Sequence, residues 1–106
     1  MSEKVHAIIK ELRRRLEALY GPRLVRMVLY GSQARGDAEP GSDIDVLVVL
    51  QGPVSPGEEI ARTSDIIASL SLTHGVVLSR AFVSADRFER EQSPLLINIR
   101  REGVAI

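Results

Sequence analysis

The stretch that decides the fold runs Tyr30-Gly31-Ser32-Gln33-Ala34-Arg35-Gly36-Asp37 and on to Gly41-Ser42-Asp43-Ile44-Asp45-Val46-Leu47-Val48-Val49-Leu50. From Asp43 to Leu50 it reads as a strand that is apolar on both faces after Asp45. A strand of that kind is covered by layers on both sides, so it belongs at the centre of a sheet. Positions i and i+2 of a strand share a face. Asp43 and Asp45 would then stand side by side, roughly 6–7 Å apart at their backbones. Two anions at that separation repel by about 2 kcal/mol in an effective dielectric of roughly 20. A central strand tolerates such a pair when a cation relieves it. Hard cations such as Mg²⁺ take oxygen ligands and use one or two carboxylates plus substrate phosphates. Two such ions about 3.5–4 Å apart are the arrangement used for in-line phosphoryl displacement.

The first half of the stretch supplies the other partner. Leu24–Tyr30 is a short run of strand formers that stops at Gly31, and Ser32–Arg35 has room for one helical turn. A glycine between strand and turn lets backbone approach a ligand closely. Exposed N–H groups with a serine hydroxyl can hold phosphate oxygens. Arg35 has two readings, a charge-assisted contact to those phosphates or an ion pair with an acid. Together the parts fit a metal-bound nucleoside triphosphate. The chain has no Gly-rich loop ending in Lys, no G-x-G-x-x-G, no G-x-S-x-G and no H-E-x-x-H, which sets aside the common alternatives.

Outward from this block, residues 3–20 carry Val5, Ile8, Ile9, Leu12, Leu16 and Leu19 at helical spacing. Gly21-Pro22 ends that helix. Beyond the central strand, Ser55 and Glu58 match a capping box, with Pro56 at the first helical position. The inner face of this second long helix is predicted from Ile60, Ile67 and Leu70, with Ile66 beside them, and His74-Gly75 closes it. Val76–Val83 is a third strand candidate. Ser84 is placed to cap a short helix, and Ser93-Pro94 to open another that ends at Gly103. The element order is α-β-α-β-α-β-α, an α/β (two-layer α+β) domain with a small sheet and flanking helices, residues 1–106 forming one unit. His6 and His74 read as structural or surface residues, and Arg13-Arg14-Arg15 as a solvated helix face.

Composition agrees with this picture. The 106 residues are 44% apolar and 26% charged, with fourteen basic and fourteen acidic side chains. A formal charge of zero argues against direct nucleic-acid binding, which relies on excess positive charge. There are no cysteines, which excludes disulfides and thiolate sites. No run approaches the ~20 apolar residues of a membrane span, so a cytoplasmic location is the expectation. An oligomer is compatible with the sequence.

Gly31-Ser32, ten intervening residues and then Asp43-x-Asp45 resembles the GS-x₁₀-D-x-D signature of the DNA polymerase beta-like nucleotidyltransferase superfamily. GSQARGDAEPGSDIDVLV is most similar to its smallest branch, the MNT or MntA-type minimal nucleotidyltransferases. The resemblance implies the nucleotidyltransferase fold with a small mixed sheet. It implies that Gly31 and Ser32, with Arg35 beside them, bind the triphosphate of ATP or another NTP. Asp43 and Asp45 are implied to hold Mg²⁺, with two ions expected, and to orient a hydroxyl for attack on the α-phosphorus. The implied partner is a HEPN-domain toxin, which some members of the branch neutralise by transferring AMP to a tyrosine. The superfamily also implies a third carboxylate on the next strand. His74–Val83 contains no Asp or Glu, and the aligned position is expected at Gly75 or a neighbour. Asp65, Asp86 and Glu89 are weak substitutes because they lie outside that strand. Two alternatives follow: a degenerate domain that neutralises its toxin by contact, and, on Asp43-x-Asp45 alone, a transferase that uses a nucleotide sugar.

Overall fold

In the computed structural model, which describes residues 1–106, the chain begins with helix α1 (Glu3–Tyr20). Ser2 caps it by accepting from the Val5 N–H at 3.2 Å, which satisfies one of the unpaired amides of the first turn. Val5, Ile8, Ile9, Leu12 and Leu16 form the buried stripe, as their spacing predicts. Leu19 does not join it; the stripe ends on Tyr20 and Leu19 is exposed. A short 3₁₀ turn at Gly21–Arg23 leads into β1 (Leu24–Tyr30).

After the one-turn helix α2 (Ser32–Arg35) comes β2 (Ile44–Leu50), then α3 (Pro56–His74), β3 (Leu78–Ser84), α4 (Ala85–Arg90), α5 (Pro94–Glu102) and a two-residue strand β4 (Val104–Ala105). The sheet order is β3-β2-β1-β4. β1 runs antiparallel to β2 and β4, while β2 and β3 are parallel. The sheet is therefore mixed and β2 is interior, as its two-sided apolar pattern requires. Ser84 and Ser93 cap α4 and α5 by accepting from Arg87 N–H and Leu96 N–H.

Two layers cover the two faces unequally. One face, with Met27, Leu29, Ile44, Val46, Val48 and Leu50, packs beneath α1 and α3 in a cluster of 16 buried residues. The other face packs Val28, Leu47, Val49 and Val83 against Phe88, Leu96 and Ile99 of α4 and α5 in a cluster of 7. Fully burying one such side chain contributes about 1.5–3 kcal/mol, so the first layer dominates the driving force.

Three further expectations are corrected. Asp43 is not a strand residue: β2 starts at Ile44, whose N–H donates to the Val77 carbonyl at 2.9 Å. The capping box at Ser55 does not form; the Ser55 side chain makes no cap bond, and its backbone carbonyl accepts from the Glu59 N–H instead. The inner face of α3 holds Ile67 and Leu70 as expected, with Ile66 packed beside them, but a rotation of its first turns buries Glu59 and Thr63 and leaves Ile60 exposed. Glu59 explains that rotation, because its carboxylate accepts from the Tyr20 hydroxyl at 2.8 Å and lies 3.8 Å from Arg23 and 3.7 Å from Arg62. A polar anchor with its partners in place is as good an inward residue as an isoleucine. At the chain's end Val104-Ala105 forms an edge strand on β1, and Ile106 packs on the larger core. No helix is long and apolar enough to cross a membrane.

Candidate functional site

The site begins where β1 ends. Gly31 has φ 73° and ψ −155°, a conformation essentially restricted to glycine. Its carbonyl accepts from the N–H groups of Ala34 and Arg35, both at 3.1 Å, which closes the single turn of α2. No side chain caps that turn, so its leading amides are donors of the kind that hold anionic oxygens. Gly36, left-handed at φ 80°, ends it. The chain then returns through a tight turn in which the Ser42 hydroxyl accepts from the Glu39 N–H at 2.9 Å and the Ser42 N–H donates to the Glu39 carbonyl. That turn delivers Asp43, exposed, as the last residue before β2, and Asp45 as the second residue in it.

Sheet register brings the two halves together. Asp45 is the cross-strand partner of Tyr30 on β1 and of Ser79 on β3. The three side chains stand in a row on the face that carries the smaller cluster, beyond the end covered by α5. A Cβ placed on Gly31 would lie only 2.5 Å from Asp45 Oδ2. The carboxylate thus rests directly against the glycine-serine turn, and no residue but glycine leaves it room.

Electrostatics report the same proximity. Burial raises the Asp45 pKa above the usual carboxylate range, the Asp43 charge raises it further, and Arg35 opposes both. Burial likewise raises the Tyr30 phenol, with the Asp45 charge as the second cause. Arg35 pairs with Asp37 at 3.2 Å and reaches to 3.8 Å from Glu102 at the end of α5. Of its two sequence readings the ion pair is the one seen here, and its charge is also felt at Asp45.

Gly31, Ser32, Arg35, Asp43 and Asp45 all gather at one end of the sheet. No third carboxylate joins them, and no group of three or more His, Asp or Glu residues converges anywhere in the chain. Asp65, Asp86 and Glu89 are elsewhere engaged or apart; Asp86 pairs with Arg90 and Glu89 with Arg26. The expectation that the third position falls at Gly75 is corrected by register: Gly75 is the left-handed cap of α3, and Ser79 is the residue beside Asp45. Tyr30 and Ser79 were not singled out from sequence. Only the parity of β3, counted back from Val83 and Ala81, would have placed Ser79 on this face. A cleft of about 490 Å³ borders the same loop, lined by Val5, Gln33, Ser42, Ile44 and Val76 among others, but neither aspartate lines it. Asp43 is exposed at the end of its turn and Asp45 is half-buried at the start of β2.

The sequence profile of the nucleotidyltransferase domain matches residues 9–99. The chain belongs to the nucleotidyltransferase domain family. A Methanocaldococcus jannaschii protein named "putative protein adenylyltransferase" is 35% identical over 83 residues, 78% of this chain and 77% of that protein. The solved structure of a "putative minimal nucleotidyltransferase" superposes with a TM-score of 0.60 at 27% identity, covering 100% of this chain and 97% of that one. A toxin-antitoxin structure with AMP-PNP superposes with a TM-score of 0.57 at 21% identity over 89% of this chain and 68% of that chain, a likeness of fold. This nucleotidyltransferase domain is thus similar to a minimal nucleotidyltransferase, and it shares its fold with chains of the MntA-HpeT toxin-antitoxin structures.

Proposed function

We propose that this domain transfers a nucleoside monophosphate, AMP from ATP in the leading case, to a hydroxyl on a partner protein. The observation that carries the reading is the Asp45 carboxylate resting against the Gly31 backbone, with Asp43 two residues before it. That contact unites a phosphate-holding turn and an acidic pair, which is what a metal-bound triphosphate needs.

The donor set fits Mg²⁺. Asp43 and Asp45 offer hard carboxylate oxygens, and this cation completes its shell with water and substrate phosphates rather than a full protein cage. Two carboxylates without a third suit one such ion better than the two expected from sequence. When bound, Mg²⁺ neutralises charge on the phosphoryl oxygens. The chain's own residues do the rest: Asp43 and Asp45 hold the cation, Gly31 admits the phosphates to the backbone, and the Ser32 hydroxyl and Arg35 guanidinium orient them. The protein adenylyltransferase name of the relative from M. jannaschii supports AMP and a protein acceptor. The toxin-antitoxin neighbour with AMP-PNP supports nucleotide and partner together. The resemblance of the motif block points to a HEPN-type toxin as that partner.

A second reading is favoured by one observation, the absence of a third carboxylate beside Asp45. On that reading the domain binds nucleotide and neutralises a toxin by contact. Asp43→Asn and Asp45→Asn separate the two in a reaction with the candidate toxin, labelled ATP and Mg²⁺. Transfer lost while the complex persists supports the enzyme. Toxin neutralisation that survives both substitutions without any label transfer overturns it.

A further inference from the structure

Asp45 has a hydroxyl-bearing neighbour on each side, Tyr30 on β1 and Ser79 on β3. The two differ in availability. The Tyr30 ring packs against the smaller core cluster and is half-buried, whereas Ser79 is exposed. Two other hydroxyls lie near the acidic pair: Ser42 already accepts from the Glu39 N–H within its own turn, and Ser32, next to Gly31, holds the phosphates in the proposed function. Ser79 is therefore the free nucleophile of this surface. Neighbouring strands lie about 4.8 Å apart, so paired side chains on one face point outward in parallel at roughly that spacing. A triphosphate held through a cation at Asp43 and Asp45 would therefore border the Ser79 hydroxyl on the neighbouring strand.

We infer that Ser79 is a site of self-nucleotidylation. This rests on the proposed nucleotidyl transfer and adds an acceptor within the chain itself. Ser79 Oγ attacks the α-phosphorus of ATP and forms an O–P bond. The bond from the α-phosphorus to the bridging oxygen breaks, pyrophosphate leaves, and the hydroxyl proton passes to solvent. The product carries one AMP in phosphodiester linkage on β3, next to the residues that held the triphosphate. The reaction stops after one turnover, because the attached nucleotide occupies the surface a second ATP would use.

The test incubates the full chain, without any partner, with ATP and Mg²⁺. Intact-mass and peptide mass spectrometry then read the adduct, and calorimetry with a non-hydrolysable ATP analogue reads binding separately. One adenylyl adduct on the β3 peptide is expected, absent from Ser79→Ala, retained on the new hydroxyl in Ser79→Thr, and lost in Asp45→Asn. Ser79→Ala should bind the analogue within about twofold of the parent, and the adduct-bearing chain at least tenfold more weakly. No adduct while the analogue binds overturns the inference and leaves transfer to a partner standing. An adduct mapped to Tyr30, Ser32 or Ser42 also overturns it. Neither adduct nor binding overturns this inference and the proposed function together.

Discussion

Replacing Gly31 by alanine tests the contact on which the site depends. The backbone there, φ 73° and ψ −155°, is one that residues with a side chain adopt at a cost of about 1–3 kcal/mol. The added methyl would also meet Asp45 Oδ2 at 2.5 Å, well inside van der Waals contact, so the carboxylate must swing away. Gly36→Ala is the matched control. Its φ is also positive, at 80°, but nothing lies within 4 Å of the new methyl, so it carries the left-handed penalty of about 1–2 kcal/mol and no more. For a domain of this size each kcal/mol lowers Tm by roughly 4–8 °C. A loss of about 2 kcal/mol in Gly31→Ala therefore means a fall of roughly 8–16 °C, larger than in the control. Calorimetric titration should show Mg-ATP affinity reduced at least tenfold in Gly31→Ala and little changed in Gly36→Ala. Adding Asp45→Ala to Gly31→Ala removes the clash, so the two substitutions should couple by about 0.5–3 kcal/mol in denaturant unfolding. Strict additivity, or a Gly31→Ala chain as stable and as avid for nucleotide as the parent, would refute the claim that this carboxylate is seated on the glycine.

Asp45 also sets a pH dependence. Burial first and Asp43 second raise its pKa, so the folded chain binds that proton more tightly than the unfolded chain. Stability then declines as pH rises through the interval between the unfolded and folded values. Asp45→Asn should be the more stable protein at neutral pH, with the gap closing below roughly pH 3.9; equal urea midpoints at neutral pH would contradict this. Tyr20→Phe removes the 2.8 Å hydrogen bond to Glu59, which is only 3% exposed. It should cost about 1.5–3 kcal/mol in urea unfolding, since bonds to buried charged groups fall in that range. Ser84→Ala deletes the cap of α4 and should cost about 1 kcal/mol without altering Mg-ATP affinity, which a calorimetric comparison checks.

Much of this architecture is legible in the chain because the deciding signals are local. The buried stripe of α1 follows from spacing, the interior position of β2 from its two apolar faces, and the α4 and α5 starts from Ser84 and Ser93. The glycine-serine block and the acidic pair are also local, which is why they carry the family resemblance unaided. What escaped is set by contacts distant in sequence. Only the first inward position of α3 was misjudged, because Glu59 is drawn inward by Tyr20, 39 residues away, and local hydropathy favours Ile60. The neighbour of Asp45 was misplaced for the same reason, since only pairing of β2 with β3 brings Ser79 there.

The unequal layering of the sheet has a chemical purpose at this end. A carboxylate pair fully covered by protein would give up charge rather than remain ionised without water, and would then be a poor ligand for any cation. Here α4 and α5 seal the second face over Leu47, Val49 and Val83 but stop short of the row formed by Tyr30, Asp45 and Ser79. Asp45 is left half-buried and Asp43 exposed. On the proposed function, partial burial would strengthen the attraction of the pair for a divalent cation, because less solvent screens it, while the open margin would admit water and a phosphate chain. The short second layer is what lets a core of this size carry two adjacent anions at its margin.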